Sequence, residues 1–226
     1  MKWTHILKLV KEKTLGAGFD LVQPFEVHWY NKNVDKKYHL PTYNRKNTFG
    51  ILIGNSRYLW PHFRQEISQN TKLKKSSHPL DQYTRQTILK ILEEIEIPWS
   101  VFWAELHAPF KIAFQKLASI SSLADLSPSH LNVHPKYGPW IAFRSAIVFN
   151  VPGPHKKSKS INLCKPCPKP CMKPFQKALR SNNWKDWLKV RQACPIGQEF
   201  QYSKSQTLYH YTKTRRSLSL PSTKTA

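Results

Sequence analysis

Apolar positions in the first part of the chain recur with helical spacing in three places. The first stripe repeats every three or four positions, as one face of a helix does, through Trp3, Ile6, Leu7 and Val10. Gly16 and Gly18 then end this pattern. A second stripe predicts a helix over about 80–96, before Pro98. A third helix is predicted over 109–124, with its inward face formed by Phe110, Phe114 and Leu117.

Runs of β-branched and aromatic residues predict strands between these helices. The predicted strands cover 19–30 with an interruption at Pro24, 48–53, 99–105 and 140–151. The last of these carries the strongest strand signal in the chain. Because helices and strands are interspersed, the pattern predicts an α+β fold in which helices flank a mixed sheet.

Charge divides the chain near residue 154. The 226 residues carry a net charge of +23, with 20 Lys+Arg and 11 Asp+Glu in 1–154 but 16 and 2 in 155–226. We therefore expect an aromatic-rich body over 1–154, followed by a small, basic, cysteine-bearing module and tail over 155–226. Gly-rich phosphate-binding motifs are absent from the sequence. No long apolar run and no signal peptide stand out, so we expect a cytoplasmic protein without membrane insertion.

All four cysteines fall in the basic part, in the pattern C-x2-C-x3-C-x22-C-P. A disulfide framework would require an oxidising compartment, which the missing secretory signal does not favour. Three close cysteines followed by a distant Cys-Pro are typical of iron–sulfur ferredoxin motifs, whereas structural zinc sites usually show two close pairs. We expect one [4Fe–4S] cluster, with zinc or unliganded thiols as the alternatives. The predicted ligands are Cys164, Cys167, Cys171 and Cys194.

Several motifs, taken in order, resemble the cobalamin-processing family of the methylmalonic aciduria and homocystinuria type C protein. They are GFD at 18–20, PFEVHWYN at 24–31, HLP at 39–41, PLDQ at 79–82, VHPKYGPW at 133–140, and then Ala142, Phe143, Arg144 and Val148. The family pattern has Gly-Gly-Trp where this chain has Gly138-Pro139-Trp140. Pro139 removes one backbone N–H from that loop, and with it any ligand contact made by that amide.

The resemblance implies a nitroreductase-like fold with a deep cavity for cobalamin. In this family the nucleotide tail is displaced from cobalt and the upper ligand is removed reductively. Some members use reduced flavin (FMN or FAD) to remove cyanide, or glutathione for dealkylation. On this basis, Arg144 is expected to anchor a corrin amide, a phosphate or the carboxylate of a thiol peptide. The full set of expected corrin contacts is His134, Tyr137, Gly138, Trp140 and Arg144.

The cysteine-bearing part resembles the ferredoxin-like modules of epoxyqueuosine reductases and related corrinoid iron–sulfur proteins. The resemblance lies in RQACPIG at 191–197 and PCM at 170–172. Phe175 stands where the fourth cysteine of their first motif is expected, which leaves the ligands of a single cluster. The two resemblances together predict a corrinoid-binding oxidoreductase. An electron donor protein or flavin would supply electrons through the cluster for removal or exchange of the cobalt upper ligand. No catalytic residue can be assigned.

The strong positive charge also supports a hypothesis of a different class, because it is the electrostatic footprint of a nucleic-acid-binding protein. A zinc module with aromatic residues among lysines would bind RNA, transfer RNA included, without catalysis. The aromatic residues considered for stacking are Trp184, Trp187, Tyr202, Tyr209 and Tyr211. A third hypothesis is a non-catalytic cobalamin carrier.

Overall fold

A computed structural model describes residues 1–106 and 112–219 of the chain. The strands are β1 (Leu21–Glu26), β2 (Phe49–Asn55), β3 (Trp99–Trp103), β4 (Asp125–Leu126), β5 (Asn132–Val133) and β6 (Ala142–Phe149). The helices before β6 are α1 (Trp3–Gly16), α2 (Val27–Asn31), α3 (Leu59–Gln69), α4 (Thr71–Lys75), α5 (Pro79–Leu92) and α6 (Phe114–Ile120). Those after it are α7 (Met172–Leu179), α8 (Trp184–Gln192), α9 (Lys204–Thr212) and α10 (Arg216–Ser219).

Four strands form the central sheet in the order β1-β2-β6-β3. Every pair of neighbours is antiparallel, so the prediction of a mixed sheet is wrong for the described residues. The predicted interruption at Pro24 is also wrong, because β1 continues through it opposite Ile51. β1 lies at an edge of the sheet, where a strand tolerates a residue without an N–H. The short β4 and β5 form a separate antiparallel pair.

Apolar residues cover both faces of the sheet. β2 is buried along its whole length, and its side chains alternate between two cores, as the pleat of a strand requires. Ile51 and Ile53 join the core formed with α1, α3, α4 and α5. Leu52 joins the opposite core, which contains residues of α2 and α6. The expectation of an α+β fold with helices flanking a sheet is therefore confirmed.

The helix predictions agree with the structure in position more than in length. α1 occupies the first predicted stripe, whereas α5 ends at Leu92, before the predicted 96. α6 spans seven residues, with Leu117 buried, and Phe110 lies outside the described residues. α3 was not predicted, although its buried residues Trp60, Phe63 and Ile67 follow helical spacing.

The last third of the chain has a small hydrophobic cluster of its own and also reaches the main core. Phe175, Ala178 and Val190 form the small cluster between α7 and α8. Tyr209 of α9 belongs to the larger core, where its ring lies 5.5 Å from that of Trp60. The division near residue 154 stays a prediction. In the part of the chain that the structure describes, no helix combines the length and hydropathy needed to cross a membrane.

Candidate functional site

All four cysteines line one small cavity beside the β4–β5 pair. Cys164 and Cys167 lie in an irregular loop, Cys171 immediately precedes α7, and Cys194 follows α8. The rest of the wall is mostly apolar and includes Leu131, Val133, Pro139, Pro170, Val190 and Pro195. The fold therefore brings together the four thiols that the sequence spacing predicts as ligands. Which group they bind, if any, stays a prediction.

Hydrogen bonds to Asp125 hold the cysteine loop in place, and other backbone amides of this region donate to two of the sulfurs. Oδ2 of Asp125 accepts hydrogen bonds from the amides of Leu163 and Cys164, at 2.8 and 2.9 Å. The amide of Lys169 donates to Sγ of Cys167 at 3.4 Å. The thiol of Cys194 receives a hydrogen bond from the backbone of Ile196. Such N–H···S bonds are a means by which proteins stabilise thiolate sulfur in metal centres.

Two thiols of this cavity, those of Cys164 and Cys194, have a raised pKa, which favours their protonated form. Burial, together with the nearby Asp125 carboxylate and the Cys194 thiol, raises the pKa of Cys164 to about 12. Burial also raises the pKa of Cys194, against the hydrogen bond from Ile196. A bound metal reverses this preference, because coordination deprotonates a thiol.

The four sulfurs do not surround a single ion position. Across residues 1–106 and 112–219, no group of three or more Cys, His, Asp or Glu side chains is arranged to hold one metal ion. Tetrahedral zinc requires every sulfur at about 2.3 Å from one point. The described residues therefore contain no preformed single-metal site at this cavity.

His134 lies on the loop between β5 and β6 with a neutral, hydrogen-bonded ring. Its Nδ1 accepts from the amides of Lys136 and Tyr137 at 3.1 and 3.2 Å, which places the ring proton on Nε2. Burial lowers the pKa of His134 to about 4; Asp20 opposes this shift and Lys136 adds to it. The ring stacks on Tyr137 at a centroid distance of 4.8 Å.

Gly138, the next predicted corrin contact, is required by close packing of the backbone. Its φ of +56° and the φ of +74° at Gly197 lie in the left-handed region that favours glycine. A Cβ on Gly138 would overlap the backbone carbonyl of Ile196, and one on Gly197 would overlap that of Tyr137. The two glycines therefore join the His134 loop to the chain that follows Cys194.

Arg144 lies in a second small cavity that contains several cationic and polar groups. Its Nε donates to Oδ1 of Asn55 at 2.7 Å. The same cavity is lined by Lys213, His210 and Tyr202. Burial lowers the pKa of Arg144, and burial together with the Arg144 charge lowers the pKa of Lys213. Within the described ranges, neither cation has a carboxylate at ion-pair distance.

A larger cavity of about 190 Å³ adjoins this one, because His210 lines both. Its other lining residues include Phe143 and Arg191, and Nη2 of Arg191 donates to Nε2 of His210 at 3.3 Å. Burial and three neighbouring cations lower the pKa of His210 well below its usual value. Nearby buried atoms without a hydrogen-bond partner are Oδ1 of Asn132, Nε1 of Trp140 and the hydroxyl of Tyr202. Sequence reasoning did not nominate His210, Lys213 or Arg191, because their approach to Arg144 depends on how α8 and α9 fold back.

The predicted corrin contacts therefore occupy two neighbouring places. His134, Tyr137 and Gly138 form the loop that packs on Gly197. Trp140 is fully buried, edge-on to Tyr202 with ring centroids 5.5 Å apart, and Arg144 lines the cationic cavity. Their contact with a corrin stays a prediction.

The aromatic residues considered for RNA stacking are packed against other parts of the chain. Tyr202 and Tyr209 are only 2% and 3% exposed. The Trp184 ring stacks on Tyr211 at 5.3 Å, and Trp187 contacts Phe175 edge-on at 6.0 Å. A base would have to displace these contacts before it could stack.

No protein-family model matches the chain, and no curated protein matches it. The antiparallel sheet with helices on both faces does match a solved fold. That fold is seen in the crystal structure of CblC from C. elegans, described as a B12-trafficking protein and a homologue of human MMACHC. The TM-score is 0.78 at 20% sequence identity, and the match covers 95% of this chain and 94% of that one. Because so little of the chain is left out, the shared fold extends into the cysteine-bearing third.

Proposed function

We propose that this protein binds a corrinoid and acts on it as a redox protein. The observation that carries the proposal is the fold, which the chain shares over 95% of its length with a protein described as trafficking B12. The sequence motifs that resemble the cobalamin-processing family point to the same ligand.

The paired cavities around His210 supply groups that suit a corrinoid. A corrinoid has an apolar macrocycle fringed with amides and a phosphate in its nucleotide tail. The cations Arg144, Arg191 and Lys213 suit the phosphate or an anionic co-substrate, and the unpartnered Oδ1 of Asn132 suits an amide N–H. The cavity of about 190 Å³ is below the usual range for ligand sites, so binding must move side chains that line it.

The cysteine spacing favours a [4Fe–4S] cluster over a single zinc ion as the group this cavity would hold. Four thiols line it, and backbone N–H groups reach two of the sulfurs. When bound, the cluster would supply a one-electron carrier and the corrinoid a cobalt whose upper ligand is released on reduction. Asp125 would keep the cysteine loop closed over the sulfurs, and the apolar wall would exclude water from them. Electrons would come from a donor protein or a reduced flavin.

A second candidate is a carrier that holds the corrinoid without reducing it. The trafficking role by which the C. elegans protein is described favours this alternative. The two candidates share the corrinoid cavity and differ in whether the cysteine cavity holds a redox centre.

The proposal is tested by titrating anaerobically purified protein with hydroxocobalamin while iron, acid-labile sulfide and zinc are measured. We expect a spectral shift that saturates at one corrinoid per chain, together with iron and sulfide. Arg144→Gln should weaken corrinoid binding about tenfold or more, since it removes a buried charge from the cavity. Arg180→Gln, at an exposed position, is the matched control.

The outcomes separate the candidates. Corrinoid binding without iron would support the carrier, and one zinc ion per chain would contradict the redox function. A spectrum that does not change with added hydroxocobalamin would contradict both. Cys194→Ser should lose the iron but retain corrinoid binding, because the two groups occupy different cavities.

A further inference from the structure

We propose that an acidic electron-transfer protein docks on the lysine-rich face around the cysteine cavity; this inference rests on the proposed redox function. Residues 155–185 contain nine lysines and arginines and no aspartate or glutamate. We call Lys165, Lys169 and Lys173 the lysine rim, since they alternate with the three clustered cysteines and Lys169 lines the cavity itself. A donor that approaches the cysteine cavity from this face meets the exposed lysine rim, and the Asp125 carboxylate there is already engaged by the amides of Leu163 and Cys164.

The positive charge of the rim is not neutralised by the protein. All three lysines are exposed, and among the described residues no carboxylate lies at ion-pair distance from them. Asp186 is the first acidic residue after the cysteine loop. It is buried and engaged with Lys177 at 3.8 Å and Lys189 at 3.4 Å. Surface charge of one sign attracts a partner of the opposite sign and accelerates the encounter.

The exposed apolar residues near the rim favour a protein over a nucleic acid. Leu126 is 40% exposed next to Asp125, which holds the cysteine loop, and Leu179 is 57% exposed at the end of α7. Single-stranded nucleic acids require exposed aromatic rings for base stacking. Phe175 is buried on this face, and its ring contacts that of Trp187. The exposed Leu126 and Leu179, together with the lysine rim, therefore offer a small acidic protein both apolar and charged contacts.

The transfer itself requires no bond to form or break. The donor, a low-potential protein of the ferredoxin or flavodoxin type with an acidic surface, is oxidised by one electron. An iron–sulfur cluster held by the four cysteines would be reduced by the same electron, and no proton would have to move. The rim therefore contributes binding and orientation only.

The test uses the full chain and a plant-type [2Fe–2S] ferredoxin with an acidic surface as the probe. The double variant Lys165→Glu/Lys173→Glu reverses charge at the rim. The control Lys72→Glu/Lys74→Glu makes the same change on exposed lysines of α4. Association with oxidised ferredoxin is measured by calorimetry, and reduction of the iron-loaded chain by reduced ferredoxin is measured by stopped flow.

We expect the rim variant to weaken association and slow reduction about tenfold or more at about 10 mM salt. The control should change both by less than about twofold, and the difference should vanish at about 1 M salt, where charges are screened. Equal effects of the two variants would overturn the docking site. So would tight, salt-dependent binding of transfer RNA that the rim variant abolishes while ferredoxin binding stays unchanged. A chain without iron would overturn the redox function, yet calorimetry would still report whether the rim binds an acidic protein.

Discussion

The sheet and the cysteine region are stabilised in different ways. β2 is buried along its length between two extensive apolar cores. Around the cysteines, the buried apolar cluster contains Phe175, Ala178 and Val190. A small cluster buries too little surface to stabilise a segment by itself, so small modules generally use metals or disulfides instead. The comparison indicates that the sheet folds on apolar burial, whereas the cysteine region depends more on its contacts with the body.

Truncating one phenylalanine in each region gives the largest expected difference. Phe149→Ala removes a fully buried ring that stacks on Phe49 at 5.5 Å. It should lower the free energy of unfolding by about 3–5 kcal/mol. Phe175→Ala should cost less than half as much, since its cluster is small and near the surface. Urea denaturation measures both, and equal losses would contradict the distinction between the regions.

A glycine exchange tests the contact between the regions. Gly138→Ala places a Cβ against the Ile196 carbonyl at a φ of +56°, and should cost about 2–4 kcal/mol. Gly16→Ala is the matched control, because nothing lies within 4 Å of the added Cβ. Thermal unfolding should show a lowered Tm for the first variant and no loss for the second. An unchanged Tm for Gly138→Ala would mean that the loop does not pack on Ile196.

A buried hydrogen bond tests how α9 is attached to the body. Nε1 of Trp60 donates to Oγ of Ser205 at 2.9 Å. Ser205→Ala leaves the indole N–H unpaired and should cost about 1–3 kcal/mol. Ser68→Ala, on an exposed hydroxyl, should change the free energy of unfolding by less than about 0.5 kcal/mol. Equal effects in urea denaturation would show that this bond does not stabilise the attachment.

The smallest effect concerns pH. The folded chain keeps His134 neutral down to a pKa of about 4, while the unfolded chain protonates it near its ordinary value of 6.5. The stability that His134 contributes is therefore complete above pH 6.5 and is lost as the pH falls from 6.5 towards 4. His134→Gln should flatten the pH dependence of the free energy of unfolding in this window. An unchanged slope would contradict the buried, neutral ring.

The sequence predicted the fold class and several elements because their apolar periodicity is strong. α1 and β6 follow from Trp3, Ile6 and Val10 and from the run at 142–149. The antiparallel order of the sheet depends on long-range pairing that no local pattern contains. α3 was not predicted although its helical spacing is visible, and the structure places Pro61 in its first turn, where a helix tolerates proline.

The candidate site was likewise predicted only in part from the sequence. The spacing of the cysteines was enough to predict their convergence, because three lie within eight residues and the fourth carries a Cys-Pro signature. The cationic cavity was predicted only through Arg144. Lys213 and His210 reach it from α9, some 70 residues along the chain, and only the folded structure brings them there. Asp125 likewise acts across 38 and 39 residues on Leu163 and Cys164.

The central claim is that the cysteine cavity and the corrinoid cavity serve one redox function. It is tested most directly by following the visible spectrum of hydroxocobalamin bound to the iron-loaded protein under limiting dithionite. The account predicts rapid reduction of cobalt in the wild-type chain and at least about tenfold slower reduction in Cys194→Ser, with equal corrinoid binding in both. Equal reduction rates in the two proteins would contradict it.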